Sequence, residues 1–137
     1  MRSDAQRLVL VFALLSTCGC WHGPTDPSGP SLGERFTISV GESEILRGEP
    51  VRIAFERILE DSRCAIDVVC IVAGEARGEF RITVGRAAPV SVELSTDPRS
   101  SAEVAGYRFT LVGMTPLPRS NVRIDPRQYR AELVVTR

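Results

Sequence analysis

Cys64 and Cys70 are the residues in the body of the chain whose type and spacing most clearly predict chemistry, because they lie six positions apart. Cysteine pairs are usually oxidised in proteins exported from the reducing cytosol. We therefore predict that Cys64 and Cys70 form a structural disulfide, which closes a short loop between two strands. The chain-entropy estimate for such a loop is about 2 kcal/mol of stabilisation. A redox or regulatory disulfide is a second interpretation.

A metal site or a catalytic thiol is the weakest interpretation of these cysteines. Structural zinc needs four ligands, and a catalytic thiol needs a base that lowers its pKa. The only histidine, His22, is far from both cysteines in the sequence. The sequence also contains no phosphate-binding glycine loop, serine-nucleophile motif or dinucleotide fingerprint. We predict no catalytic residue, no metal ligand and no cofactor.

Four carboxylates near the cysteines support an alternative function. They are Glu60, Asp61, Asp67 and Glu75. An enzyme or an enzyme inhibitor could use them as its working surface, although nothing in the sequence fixes the separation of any acidic pair. A solvated outer face is the simpler interpretation. We also expect an exposed ion pair between Arg63 and Glu75, which would add little stability.

The N-terminal segment is typical of an export signal. Arg2 and Arg7 precede an apolar run over 8–15, and small residues follow that run. The run is too short to cross a bilayer as a mature helix. The end of the segment resembles a bacterial lipobox, in which Gly19 directly precedes Cys20. Residues 1–19 are therefore predicted to be a lipoprotein signal peptide.

The lipobox resemblance implies that Cys20 is acylated after cleavage behind Gly19. Several acyl chains hold a protein stably to a membrane. Cys18 is the weaker candidate because Thr17 precedes it, and Trp21 in place of aspartate favours the outer membrane. The implied location is the bacterial cell envelope, with the domain facing the periplasm. An ordinary cleaved signal followed by secretion is the alternative.

Residues 20–33 and 34–137 differ in composition and are predicted to be a tether and a single β-domain. The tether is rich in Pro, Gly and Ser and cannot bury a core. In the domain, apolar and polar side chains alternate over 36–40, 51–55, 80–84, 90–94, 107–111 and 129–135, and Ile45-Leu46 is expected to begin a further short strand. This period predicts strands, with a bulge where its phase slips at Arg57. We expect an all-β fold, a small antiparallel β-sandwich or barrel of about seven strands.

The segment around the cysteines also resembles a motif of uncharacterised exported bacterial proteins and lipoproteins. Residues 61–64 read DSRC and residues 69–76 read VCIVAGEA. The family pattern is roughly DSRCP followed, after a few residues, by CxWxGxA. Ala65 replaces the usual proline and Val72 replaces the usual tryptophan. The resemblance implies export and a loosely similar strand layout, and it implies no particular reaction.

The balanced charge of the chain disfavours nucleic acid as a partner. The chain has 17 basic and 17 acidic residues, so the basic excess typical of nucleic-acid binding is missing. Four arginines lie close together near the C-terminus: Arg119, Arg123, Arg127 and Arg130. They could bind an acidic partner or lipid headgroups, and a loop kept soluble by its charges explains them equally well. The main hypothesis is a non-enzymatic binding or structural module, attached to the membrane by its lipid and in contact with an envelope protein or polymer. A redox-sensing lipoprotein is a third hypothesis.

Overall fold

The computed structural model describes residues 28–137. The predicted signal peptide, Cys20 and the first part of the predicted tether lie outside the described residues. Within that range the chain forms eight strands: β1 Arg35–Ser39, β2 Ser43–Ile45, β3 Val51–Asp61, β4 Ala76–Val84, β5 Val90–Ser95, β6 Ala102–Val104, β7 Tyr107–Thr115 and β8 Arg130–Thr136. A short 3-10 helix, Pro126–Gln128, precedes the last strand. No helix in this part of the chain is long and apolar enough to span a membrane.

The strands form two antiparallel sheets of four strands each. One sheet has the order β1-β8-β7-β6 and the other has the order β2-β3-β4-β5. The predicted all-β sandwich is therefore confirmed, and the closed barrel that the pattern also allowed is not formed by residues 28–137. The strand that the sequence did not predict is β6, whose three residues are too few to show an alternating pattern.

The core lies between the sheets and consists of the side chains that alternate along the strands. Val51, Ile53 and Phe55 of β3 are almost completely buried. The rings of Phe55 and Phe80 stack with their centroids 4.6 Å apart. A Cβ atom at Gly78 would lie 2.8 Å from the Phe55 ring, so the absence of a side chain there leaves room for the stacked pair. The apolar period of the sequence thus produces the core of the sandwich.

The predicted irregularity in β3 is confirmed. The pairing of β3 with β4 shifts its register between Phe55 and Arg57, and shifts again between Ile58 and Glu60. Such a bulge adds an unpaired residue and bends the strand locally. β3 nevertheless continues for 11 residues and carries the chain from one end of the sandwich to the other.

The two ends of the sandwich are named here by the strands that meet at them. The base holds the start of β3 and the ends of β4 and β8. The stapled end holds the end of β3, the start of β4 and the end of β7, with the cysteine loop between β3 and β4. At a rise of about 3.3 Å per residue, β3 separates the two ends by about 33 Å.

Residues 28–33, which are the described part of the predicted tether, lie against the base. The Arg47 amide donates a hydrogen bond of 2.9 Å to the Pro30 carbonyl. The Gly33 amide donates one of 2.8 Å to the Val135 carbonyl near the end of β8. The packed body of the domain therefore begins before residue 34, and the chain leaves it at the base.

Candidate functional site

The disulfide predicted between Cys64 and Cys70 is present. The two Cα atoms are 5.9 Å apart, within the usual range for a disulfide. The bond lies in the segment that connects β3 to β4, as the sequence predicted. We call residues 62–75 the stapled loop.

A largely buried arginine, Arg63, fixes the start of the stapled loop. Arg63 pairs with Asp61 through two nearly parallel contacts, Nε to Oδ1 at 2.8 Å and Nη2 to Oδ2 at 2.7 Å. These side chains are only 12% and 9% exposed, respectively. Arg63 also donates to the Met114 carbonyl and, at 2.9 Å, to the Pro116 carbonyl. Two-pronged, charge-assisted bonding of this kind is strong and directional, so it fixes the loop to the end of β7.

The ion pair predicted between Arg63 and Glu75 is wrong. Arg63 turns towards Asp61, two residues before it, because the carboxylate and two carbonyls together satisfy its guanidinium in a nearly buried position. Glu75 instead accepts a hydrogen bond of 2.6 Å from the Ser95 hydroxyl. Each residue therefore has a structural partner that sequence spacing did not indicate.

Tyr129 adds a third group to the Asp61–Arg63 pair. Its hydroxyl donates to Asp61 Oδ2 at 2.9 Å. Burial alone would raise the pKa of Asp61, but hydrogen bonds from Arg63 and Tyr129, together with the Arg63 charge, bring it below its usual value of 3.8. Burial and the bond to Asp61 raise the pKa of Tyr129 to about 12. The carboxylate is thus held ionised and the phenol is held protonated.

Asp67 fastens the middle of the stapled loop to the segment opposite, residues 116–125, which we call the facing loop. Asp67 accepts hydrogen bonds from the Ser120 amide at 2.9 Å and from the Ser120 hydroxyl at 2.7 Å. These bonds lower the pKa of Asp67. The Ile66 amide also donates to the Pro118 carbonyl at 3.0 Å. The partner of Asp67 is therefore a residue 53 positions away in the sequence.

The neck of the stapled loop is closed by direct backbone contact. The Ser62 amide donates to the Glu75 carbonyl at 2.9 Å. A Cβ atom at Gly74 would lie 1.8 Å from the Ser62 carbonyl oxygen, so only glycine allows the two strands of the neck to approach this closely. The disulfide, the buried arginine and the neck together fix the loop at both of its ends.

The four carboxylates of the alternative enzyme or inhibitor hypothesis are not brought together. Asp61, Asp67 and Glu75 have the partners described above, and Glu60 forms an ion pair with Arg77 on β4. Within residues 28–137, no three His, Cys, Asp or Glu side chains are grouped so that they could hold a metal ion. The observed partners give Asp61, Asp67 and Glu75 structural roles in and around the stapled loop, and Glu60 a cross-strand role between β3 and β4.

The stapled loop carries an exposed apolar surface that the sequence did not predict. Five aliphatic side chains of the stapled loop point into solvent: Ile66, Val68, Val69, Ile71 and Val72. Val69 and Ile71, which flank Cys70, are 100% and 104% exposed. Leu117 and Val122 of the facing loop are 56% and 59% exposed. We call these seven side chains the apolar tip.

Basic side chains border the apolar tip. Arg119 and Arg123 lie in the facing loop, and both are exposed. Arg127, from the same predicted arginine group, is bound to Asp125 at 2.8 Å. A groove of about 440 Å³ continues from the tip along the end of β3, and its lining includes Leu59, Val122 and Arg123. The predicted arginine group is therefore divided, with two of its members beside the tip.

The signal for this surface was present in the sequence as aliphatic residues inside a segment that the cysteines marked as a loop. Aliphatic side chains in a loop face either the core or the solvent, and only the three-dimensional structure distinguishes the two cases. The chain matches no protein-family model, no curated protein and no solved structure.

Proposed function

We propose that this protein is a lipid-anchored binding module of the bacterial cell envelope, and that the apolar tip is its contact surface. The observation that supports the proposal is the exposure of five aliphatic side chains on one braced loop. Covering apolar surface is favourable by about 25 cal/mol per Å². Large exposed apolar patches therefore mark interaction sites in folded proteins.

The bracing of the loop supports a binding role as well. A loop that is already held in one conformation loses less conformational entropy when a partner binds. The Cys64–Cys70 bond, the Arg63 contacts and the Asp67–Ser120 contacts restrain the stapled loop at three places.

The attachment to the membrane is proposed from the lipobox resemblance at Gly19-Cys20. Acylation is tested by growing cells that express the full chain with radioactive palmitate and measuring the label on the purified protein. The expected result is that Cys20→Ala loses the label, whereas Cys18→Ala keeps it. Loss of the label from Cys18→Ala, or labelling of Cys20→Ala, would contradict acylation at Cys20.

The contact surface is tested by retention of detergent-solubilised envelope proteins on immobilised full-length protein. The double variant Ile71→Ser/Val72→Ser removes two exposed aliphatic side chains of the tip. Val90→Ser is the matched control, because Val90 is 43% exposed at the opposite end of the molecule. We expect a protein retained by the wild type and by Val90→Ser to be lost from the double variant. Equal retention by all three chains would refute the assignment.

A further inference from the structure

We infer that the apolar tip faces away from the anchoring bilayer and binds a protein whose apolar recess has an acidic border. The inference deepens the proposed function and rests on the lipid anchor at Cys20.

The chain leaves the domain at the end opposite the tip. Pro30 and Gly33 are hydrogen-bonded to Arg47 and Val135, which lie at the base. The stapled loop follows Asp61, at the other end of β3. The full length of β3, about 33 Å at 3.3 Å per residue, therefore separates the point of attachment from the apolar tip.

The remaining chain is too short to bring the tip back to the same bilayer when the domain stands upright. Residues 20–27 can span at most about 28 Å when fully extended. If the tip touched the bilayer in that orientation, Ser28 would lie about 33 Å or more from the surface. The tether is therefore too short for this inverted orientation, and a domain whose base is near the membrane satisfies it.

The charges around the tip indicate the chemistry of the occupant. Arg119 and Arg123 belong to none of the ion pairs within residues 28–137. The Arg119 charge lies near Asp67 and contributes to its lowered pKa, but the hydrogen-bond partner of Asp67 is Ser120. Glu60, Asp61 and Asp125 also lie at this end, but each of them is paired with an arginine. Arg119 and Arg123 against the one remaining carboxylate of the two loops' contact, Asp67, leave the border basic. An apolar centre with a charged rim is the usual composition of a protein interface, and an acidic rim on the partner would complement this one.

The same charges disfavour a second copy of this chain as the occupant. A symmetric pair of tips would use the same surface on both molecules, so each copy would place its Arg119 and Arg123 in the shared contact. Like charges placed together across an interface oppose association. A different protein with acidic side chains avoids this repulsion.

The orientation is tested by tryptophan fluorescence of the full-length acylated chain in vesicles of phosphatidylethanolamine and phosphatidylglycerol with brominated acyl chains, which quench nearby indoles. Trp21 is the only tryptophan and is adjacent to Cys20. We expect strong quenching of Trp21 in the native chain. In the double variant Trp21→Phe/Ile71→Trp, we expect no quenching of the indole at position 71.

The indoles at positions 21 and 71 test different statements, the first the anchor and the second the orientation of the tip. Quenching at position 71 would overturn the inference, because the tip would then be in the bilayer. An unquenched Trp21 would instead overturn the anchor at Cys20 on which the inference rests.

The occupant is tested by photo-cross-linking in the cells that produce the protein, with a benzophenone amino acid at position 71. We expect a cross-linked adduct between this chain and a protein of a different mass. Arg123→Glu should reduce the amount of that adduct at least tenfold, because a tenfold loss of affinity corresponds to only about 1.4 kcal/mol of binding free energy. Arg86→Glu is the matched control, since Arg86 is exposed in the turn between β4 and β5 at the base. An adduct of twice the chain's own mass, no adduct at all, or equal adducts in both variants would overturn the inference.

Discussion

Tyr129 donates a hydrogen bond to Asp61 and thereby connects the two sheets below the stapled loop. The hydroxyl of Tyr129, just before β8, lies 2.9 Å from Oδ2 of Asp61, the last residue of β3. Asp61 also binds Arg63, which donates to the carbonyls of Met114 and Pro116. One nearly buried carboxylate therefore joins both sheets and the support of the apolar tip.

Replacing Asp61 with asparagine should destabilise the domain strongly. Asp61→Asn removes the charge that compensates Arg63, and the loss of a charge-assisted hydrogen bond in a largely buried position typically costs about 1.5 to 3 kcal/mol. The free energy of unfolding from urea titration measures this cost. Glu103→Gln is the control, because its pair with Arg108 is exposed and should contribute less than about 1 kcal/mol. Similar losses for the two variants would show that the Asp61–Arg63 pair has no special structural role.

Stability should fall as the solution is made alkaline. The pKa of Tyr129 is raised to about 12 in the folded chain, from an ordinary value of 10.0. Since the folded pKa is the higher one, the contribution of Tyr129 is complete below pH 10 and is lost as the pH rises towards 12. Urea titrations across this window should show the loss, and Tyr129→Phe should reduce it. The idea fails if Tyr129→Phe has the same alkaline dependence as the wild type.

Removing the disulfide should cost moderate stability without changing the fold. The double variant Cys64→Ser/Cys70→Ser should lose about 2 kcal/mol by the chain-entropy estimate. The sheets should persist because Arg63 and Asp67 still hold the loop. Far-ultraviolet circular dichroism should stay the same while the urea midpoint falls. A reductant should lower the midpoint of the wild type and leave that of the variant unchanged, and a variant as stable as the oxidised wild type would contradict the structural role.

Adding one methyl group at Gly78 should disturb the core. In Gly78→Ala the new Cβ would lie 2.8 Å from the Phe55 ring and 3.1 Å from the Phe80 ring, both completely buried. Overpacking of this kind typically costs about 1 to 3 kcal/mol. Gly113→Ala is the matched control, because its new Cβ would lie 3.1 Å from the flexible end of Glu132 and in ordinary contact, 3.7 Å, with the Cβ of the same residue. Thermal unfolding should rank Gly78→Ala clearly below Gly113→Ala, and the reverse order would disprove the packing argument.

Local patterns were sufficient to predict most of the fold. Alternating side chains identified the long strands, and the phase slip at Arg57 identified the bulge. The spacing of Cys64 and Cys70 identified the disulfide. Each of these signals is contained in a few consecutive residues, which is why single-sequence reasoning finds them. The three residues of β6 are too few for that kind of signal.

Long-range contacts were beyond such patterns. Arg63 reaches the Met114 carbonyl across a sequence separation of 51, and Asp67 reaches Ser120 across 53. Nothing adjacent to these residues indicates such partners. The exposure of Val69 and Ile71 is also a property of the assembled structure, because aliphatic residues are more often buried. The sequence therefore predicted the location of the loop but not its supports or its apolar surface.

We propose that the mature protein is a lipid-anchored, disulfide-stapled domain. The intact mass of the full protein, purified from the membranes of the cells that produce it, tests this claim most directly. We predict a chain that begins at Cys20, carries the added mass of a diacylglyceryl group and an amide-linked acyl chain, and lacks the two thiol hydrogens of Cys64 and Cys70. A mass that retains residues 1–19, lacks the acyl groups or includes both thiol hydrogens would contradict the claim.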